Sequence, residues 1–448
     1  MVHNIIAFLP LTVLIVSALV TRKLAESIIG SALLAMLLLY KGRVLSGTIE
    51  RIYATLSDPT FQFVIIILIG FGGMIKTFQM SGGLKGFGDW VSKFANGKKK
   101  PLILGIIMTL IMFADDYLST MTATFSLRDT TDRNGIPREH LAFQTNSLAS
   151  AFCVLIPFSS WTAFTIGLIS DYGFGFSDYV EAIPLMFYPI LITVICLGLD
   201  LGFIPKVGAL KESYDRVEKG GSPVPEFEQQ ESLIKVESEL DQEPSSAWNV
   251  ILPLICLIAG VMFCDKDLIH GLVLAIFCQF LMYTLEKLMT VGEFFEYFFE
   301  GARSMLALII VVCFGFMLTD ANQDLGLFDI IIGSVGSSLP AWLLPAVAFL
   351  VVGFTTFATG GCWVMQIIAV PILFPLAQAG GLSEIYVLAA IMSGVTMGYA
   401  TCFYADSMFM TAAGSEVTNL RIVRTSMPYA LAASAITIAG YIIIGIFG

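Results

Sequence analysis

The chain has 448 residues, 56% of them hydrophobic and only 13% charged, with a mean hydropathy of +0.83. A soluble domain of this length carries about 25% charged residues, so the composition excludes an ordinary water-soluble globule and makes the lipid bilayer the main partner. The net charge is −11, of which residues 206–247 supply −5 (5 Lys or Arg against 10 Asp or Glu); no basic stripe exists, which excludes a nucleic-acid-binding surface.

Apolar runs of about 20 residues, long enough to cross the hydrocarbon core, recur along the chain. They fall at 4–20, 24–40, 61–80, 101–122, 140–157, 183–204, 248–264, 267–285, 301–320, 340–358, 363–379, 385–405 and 428–447. Their length and their Leu, Ile, Ala, Met and Gly content predict helices, since a membrane barrel alternates over segments of ~10 residues. The fold class is therefore an all-α polytopic membrane protein. The first run lacks a basic segment before it, and Arg22 and Lys23 follow it, which predicts a retained transmembrane helix rather than a cleaved signal. Arg22, Lys23 and residues 98–100 agree on a cytoplasmic side by the positive-inside rule, but Lys41, Arg43 and Arg51 fall opposite, so the rule does not fix orientation.

The domain reading is 1–59 as N-terminal transmembrane helices, 60–205 as a first repeat, 206–247 as a polar loop and 248–448 as a second half containing a second repeat. The polar segment has three prolines and a Gly-Gly pair but no sustained apolar face. It reads as a water-exposed tether, with a short helix over 228–241. The eight cysteines (153, 196, 256, 264, 278, 313, 362 and 402) all lie in apolar stretches and form no CxxC. They read as small buried hydrophobes, and no resident cofactor is expected.

The two halves carry matching punctuation. Phe113, Ala114, Asp115 and Asp116 begin one stretch; Phe357, Ala358, Thr359 and Gly360 begin the other. Glu139 opens the next span in the first half and Glu384 in the second, 26 and 27 residues after Phe113 and Phe357. Residues 146–161 then run parallel to 391–406, both apolar and broken by small and hydroxyl residues. Duplicated halves with interrupted helices are the architecture of many secondary transporters, with the site where the breaks meet near the midplane.

Ionisable residues inside apolar runs mark function, because an Asp at a helix centre costs about 2.5–3.5 kcal/mol on insertion scales. Asp115, Asp116 and Asp406 qualify. Adjacent helical residues point about 100° apart, so one of Asp115 and Asp116 faces a cavity while the other caps the helix that follows. A carboxylate in low dielectric can be protonated near neutral pH, which permits Na⁺ and H⁺ to compete; Asp116 and Asp406 are the candidate Na⁺ ligands. Two hydroxyl and glycine clusters accompany them. One holds Thr145, Asn146, Ser147 and Ser150, with Ser159, Ser160 and Thr162 one span later. The other holds Thr355, Thr356, Thr359, Gly360, Gly361 and Cys362, then Ser393 and Thr396, while Thr401 and Ser407 add oxygens beside Asp406. Such residues free carbonyl oxygens at helix breaks, although each taken singly also serves close helix packing. Trp161 and Trp363 either wall a substrate pocket or anchor at the interface.

Gly86, Phe87, Gly88 and Asp89 match the GxGD pattern of intramembrane aspartyl proteases. Asp89 lies in a short amphipathic stretch between Lys85 and Lys93, so this reading is the distant alternative and the chain is not expected to be an enzyme. No Walker A motif is present.

The stretch from Phe113 to Phe164 resembles the NhaC-type Na⁺/H⁺ antiporter family. The residues that carry the resemblance are Asp115, Asp116 and Tyr117; Thr131, Asp132 and Arg133 with Ile136, Arg138, Glu139, Leu141 and Ala142; residues 153–157; and Ser159, Ser160 and Trp161. Residues 393–407, with the arginines that follow, resemble its second half, and the likeness covers about 60–440. The resemblance implies an ion-transporter-superfamily fold of two inverted-topology repeats with re-entrant hairpins and broken helices. It also implies a homodimer, an elevator-like motion and a multi-pass place in a bacterial cytoplasmic membrane. The implied function is cation-coupled transport with Na⁺ or H⁺ as coupling ion, the cargo being Na⁺/H⁺ itself or a small organic solute such as an amino acid or carboxylate. One departure bears on the cargo. Where the family pattern has an Asp-His pair and a Pro, this chain has Tyr399, Ala400 and Phe403, while Asp406 and Ser407 keep the final acid and hydroxyl. Gaining Tyr399, Phe403 and Tyr404 favours an organic cargo moved with a cation.

Overall fold

The computed structural model describes residues 2–447 apart from 22, 95–96, 98, 225–242, 265–266, 328–329, 331–339 and 404. The helix foreseen over 228–241 and Tyr404 lie outside the described residues. The regular structure among the described residues is helical. Seven helical runs are long and apolar enough to cross a membrane, or up to ten if each bent helix pair is one span, so the chain is a multi-pass membrane protein.

The chain opens with α1 (Val2–Thr21), α2 (Leu24–Tyr40) and the amphipathic α3 (Val44–Ser57). Arg51 of α3 pairs with Asp320 at 3.3 Å and with Asp324, a partnership that accounts for one of the charges that defeat the positive-inside count. The next helices are α4 (Pro59–Met80), α5 (Gly83–Ser92), α6 (Lys100–Ile111), α7 (Asp116–Arg133), α8 (Arg138–Leu155), α9 (Ser160–Ser170), α10 (Phe176–Ala182) and α11 (Phe187–Leu201). The segment between the halves adds α12 (Gly208–Glu218). Beyond it come α13 (Trp248–Phe263), α14 (Leu268–Leu285), α15 (Val291–Ser304), α16 (Leu306–Asp324), α17 (Leu344–Thr359), α18 (Cys362–Ala379), α19 (Glu384–Thr401), α20 (Asp406–Ser415) and α21 (Asn419–Phe447).

Four breaks organise this bundle. The run expected as one span over 101–122 is not continuous. It stops at Ile111, turns through 112–115 and restarts at Asp116, because the Asp115 carboxylate accepts from Tyr117 N at 2.9 Å and Leu118 N at 3.3 Å and so caps a new helix. Gly97 N donates to Asn134 Oδ1 at 3.1 Å, which brings the two open ends of the α6–α7 hairpin together. The α8–α9 pair bends by 43° across 156–159, where Pro157 removes a donor and the Ser159 hydroxyl caps α9 by accepting from Thr162 N. In the second half α17 ends at Gly360, which holds the left-handed conformation (φ 71°), and α18 starts after Gly361. The fourth break separates α19 from α20 at 402–405. The breaks thus fall at 112–115 and 156–159 in one half and at 360–361 and 402–405 in the other, matching the punctuation of the sequence.

Glycines set the closest approaches. A Cβ on Gly398 of α19 would lie 2.3 Å from the Gly353 carbonyl of α17, and one on Gly301 of α15 would lie 2.1 Å from the Gly72 carbonyl of α4. Small residues of this kind let membrane helices pack backbone to backbone. Of the cysteines, Cys153, Cys196, Cys362 and Cys402 are buried, but Cys256, Cys278 and Cys313 are half-buried and Cys264 is exposed. The apolar surroundings that suggested burial for all eight include the outer, lipid-directed face of the bundle.

The segment 206–247 also differs from the exposed tether expected. Residues 208–218 form α12, with Leu210 and Ser213 buried. Arg216 makes a bidentate pair with Glu139 (2.8 and 3.0 Å), and Arg421 of α21 joins the same carboxylate at 3.0 Å. Beside them His140 contacts Tyr214 OH at 2.7 Å through Nδ1 and faces Asp200 at 3.3 Å. A polar composition concealed this docking because its partners are buried charges on α8, which no hydrophobic pattern reports.

Candidate functional site

The first and fourth breaks are joined by a hydrogen bond from Tyr117 to Asp406. Asp115 and Asp116 are 4% and 1% exposed, and they point apart as the helical geometry requires. Asp115 spends one oxygen on the cap of α7, and its other oxygen lies 3.5 Å from the Ser160 hydroxyl. Asp116 accepts from Trp161 Nε1–H at 3.2 Å through Oδ1, while its Oδ2 is buried without a hydrogen-bond partner. The next residue, Tyr117, reaches across to the other half, and its hydroxyl donates to Asp406 Oδ2 at 3.0 Å.

An aromatic wall stands behind these acids. The Trp161 ring lies 5.4 Å from Tyr399 in an edge contact and 5.6 Å from Trp363, which packs edge-on against Phe164 at 4.9 Å. Tyr399 OH accepts from Ser407 N at 3.3 Å, tying the wall to the start of α20. In front of the wall opens a cavity of about 560 Å³, lined by Thr359, Gly360, Gly361, Cys362, Trp363, Tyr399 and Asp406, with Lys23 and Glu26 at its rim. The cavity therefore touches the third break directly and the fourth break through Asp406, to which Tyr117 of the first half is hydrogen-bonded.

The residues singled out in the sequence divide by place. Asp115, Asp116, Ser160, Trp161, Thr359, Gly360, Gly361, Cys362, Trp363, Asp406 and Ser407 gather at the breaks and around the cavity. Trp161 is fully buried, so it is no interfacial anchor. Asn146 supports from behind, donating to the Ala400 carbonyl at 2.7 Å and accepting from Thr411 at 3.4 Å. Ser159 caps α9 and donates to the Cys153 carbonyl. The hydroxyls of Ser150, Thr396 and Thr401 donate to carbonyls of their own helices, as does Thr359 although it lines the cavity. Ser147 is buried in α8 beside Asn146. Ser393 is not brought to the cluster: its hydroxyl pairs with Tyr441 OH at 2.7 Å, between α19 and α21. Periodicity could not reveal this, because the tyrosine lies 48 residues away. Phe403, expected at the cargo site, packs on Phe357 at 5.6 Å instead. Tyr117, Lys23 and Glu26 were missed as site residues; Tyr117 was signalled by its place directly after the Asp pair.

Among the described residues no three His, Cys, Asp or Glu side chains converge to hold a metal ion alone. A cation shared by Asp116 and Asp406 would need hydroxyl or carbonyl oxygens to complete its shell, and the breaks supply both. Asp89 sits on the exposed side of α5 and lines a cavity with Lys85, Asp129 and Arg133, remote in the chain from the buried acids.

Residues 152–446 match the sequence profile of the Na⁺/H⁺ antiporter family. An uncharacterized protein of Haemophilus influenzae is 22% identical over 486 aligned positions, which cover 98% of this chain and 90% of that one. Among solved structures, the YdaH transporter of Alcanivorax borkumensis, described as having an unusual topology, shares the fold with a TM-score of 0.60. It is 13% identical, and the match covers 91% of this chain and 90% of that one.

Proposed function

Because the chain belongs to the Na⁺/H⁺ antiporter family, we propose that it is a secondary active transporter of a bacterial cytoplasmic membrane that exchanges Na⁺ for H⁺ at Asp116 and Asp406. The observation that carries this is the buried, unpartnered Oδ2 of Asp116. An ionised carboxylate away from water is strongly disfavoured unless a counter-charge or a proton accompanies it. One site that holds either a proton or a cation, never both, is the requirement for antiport. In this reading the α6–α9 and α17–α20 units are inverted repeats. Gly97 with Asn134 closes one hairpin at its open end, and Ala341 beside Gly380 closes the other. The elevator-like motion and the homodimer belong to the same proposal.

Everted vesicles with a pH-sensitive dye test it. Na⁺ should dissipate an imposed proton gradient in wild type. Asp116→Asn and Asp406→Asn should reduce that rate at least ~100-fold while the protein stays folded and extractable. Apparent Na⁺ affinity should fall as pH is lowered, because the proton takes the same oxygens. Near-normal exchange in both variants would remove these acids from the mechanism.

A second reading, Na⁺-linked carriage of a small amino acid or carboxylate, is favoured by the 560 Å³ cavity and its Trp363 and Tyr399 walls, which exceed what a bare ion needs. No Na⁺-driven pH signal, together with thermal stabilisation by Na⁺ plus one such solute, would select it.

A further inference from the structure

Two helices that begin at breaks, α9 in one half and α18 in the other, meet along a short seam behind the buried acids. The α9 side is Trp161, Phe164 and Thr165, spaced at three and four and so on one face. The α18 side is Trp363 and Gln366, three apart and also on one face. Trp161 and Trp363 form the first rung, with ring centres 5.6 Å apart, and Phe164 stands edge-on to Trp363 at 4.9 Å. The second rung is polar. The Thr165 hydroxyl donates to Gln366 Oε1 at 2.6 Å, and Gln366 Nε2 donates to the Cys362 carbonyl of its own helix at 3.3 Å.

Thr165 and Gln366 are both fully buried, and among the described residues neither borders the large cavity at Gly360 and Asp406. An amide inside an apolar helix is costly unless it is hydrogen-bonded, so Gln366 fixes how α18 stands against α9. Rings in contact tolerate a small slide; a short hydrogen bond does not. Each end of this bond lies one turn from a tryptophan with a task. Trp161 donates its indole N–H to Asp116 at 3.2 Å, and Trp363 lines the cavity. The contact to Asp116 is already at the long end of the N–H···O range, so a small slip of the seam breaks it and leaves the carboxylate free to turn.

We propose that Gln366 is a positioning residue of the exchange site: its bond to Thr165 holds α9 against α18 in the register at which the Trp161 indole reaches Asp116. The assignment rests on the exchange reading given above. Gln366 acts through Trp161 and not on the ion itself.

Two measurements on the full chain test it, with Gln366→Leu as the main variant. Leucine is close to glutamine in size, and the Thr165 hydroxyl keeps the Trp161 carbonyl, 2.8 Å away, as an acceptor, so the variant is expected to fold. First, the protein is labelled with 5-fluorotryptophan, and the Trp161 resonance is identified by its absence in Trp161→Phe. Gln366→Leu and Thr165→Val should each shift that resonance in Na⁺-free detergent solution. An unmoved resonance in both overturns the positioning role whatever the protein transports. Second, Na⁺ affinity is read by titration of thermal stability. Gln366→Leu should weaken it about 5-fold in the otherwise wild-type chain and leave it unchanged in Trp161→Phe, where the aimed donor is already gone. Wild-type affinity in Gln366→Leu, or an equal loss in both backgrounds, overturns the role. A wild-type chain that Na⁺ does not stabilise overturns the exchange reading, and the Trp161 resonance still decides whether Gln366 sets the seam.

Discussion

Asp115 and Asp116 are adjacent and chemically identical, yet the fold gives them different work. Asp115 is held by two backbone N–H groups, so its first task is to start α7. Asp116, 100° further round, meets only the Trp161 indole and keeps one oxygen free. The indole is thus the group that aims the proposed cation ligand. A hydrogen bond to a charged group contributes about 1.5–3 kcal/mol. Trp161→Phe removes the donor but keeps a ring against Trp363 and Tyr399. Its Na⁺ affinity, read by titration of thermal stability, should fall about 10-fold or more, with the Na⁺-free melting temperature changing by only a few degrees. Unchanged affinity would mean that Asp116 does not bind the ion in the orientation seen here. That one of the two acids caps α7 was legible from their place at its start. The choice of Trp161 as partner was not, since it depends on the 43° bend between α8 and α9.

At the scale of helices, the breaks are maintained by tight neighbours as much as by their own residues. The α17–α19 contact is one example, because Gly353, Gly394 and Gly398 let two backbones touch on the approach to the cavity. Gly398→Ala would drive a methyl against the Gly353 carbonyl and Thr356. Such overpacking costs about 1–3 kcal/mol and should push α19 away from α17. The expected readout is a lower melting temperature in detergent, together with weaker Na⁺ binding through displacement of Tyr399 one position on. A variant as stable as wild type would show that this contact is looser than drawn. Gly, Pro, Asp and Ser announced three of the breaks, while the one at 112–115 falls inside a run that reads as a single span. The sequence did not show that 101–122 doubles back, because a capped re-entrant hairpin and an uninterrupted span have the same hydropathy.

Across the whole molecule, the halves are joined by more than the apolar core. Glu139 of α8 collects Arg216 from the connecting segment and Arg421 from α21, while Arg138 beside it pairs with Asp132 at 2.7 Å and with Glu416. The Glu139 side chain is fully buried, but Arg216 and Arg421 are 29% and 41% exposed. The cost of losing the carboxylate is therefore well below that of a fully buried pair, about 1–3 kcal/mol. Glu139→Leu should lower the melting temperature and open 208–218 to proteolysis, and protection equal to wild type would rule out the clamp. None of these partners could be paired from the sequence, where they lie 77 and 282 residues from Glu139. The class of molecule was legible because it rests on composition, which survives without tertiary contacts.

In the proposed exchange, the placing of Asp115, Asp116 and Asp406 at breaks between helices also bears on the cell's electrical supply. In that proposal an ion bound there has crossed only part of the membrane voltage. A transport cycle that returns two protons for each Na⁺ carries one net charge through that field, whereas a one-for-one cycle carries none. Each net charge is weighted by about 2.3 kcal/mol per 100 mV, roughly a 50-fold bias in the gradient that can be sustained. In that proposal the number of acids that load protons in each cycle decides whether the protein draws on the pH difference alone or on the voltage as well.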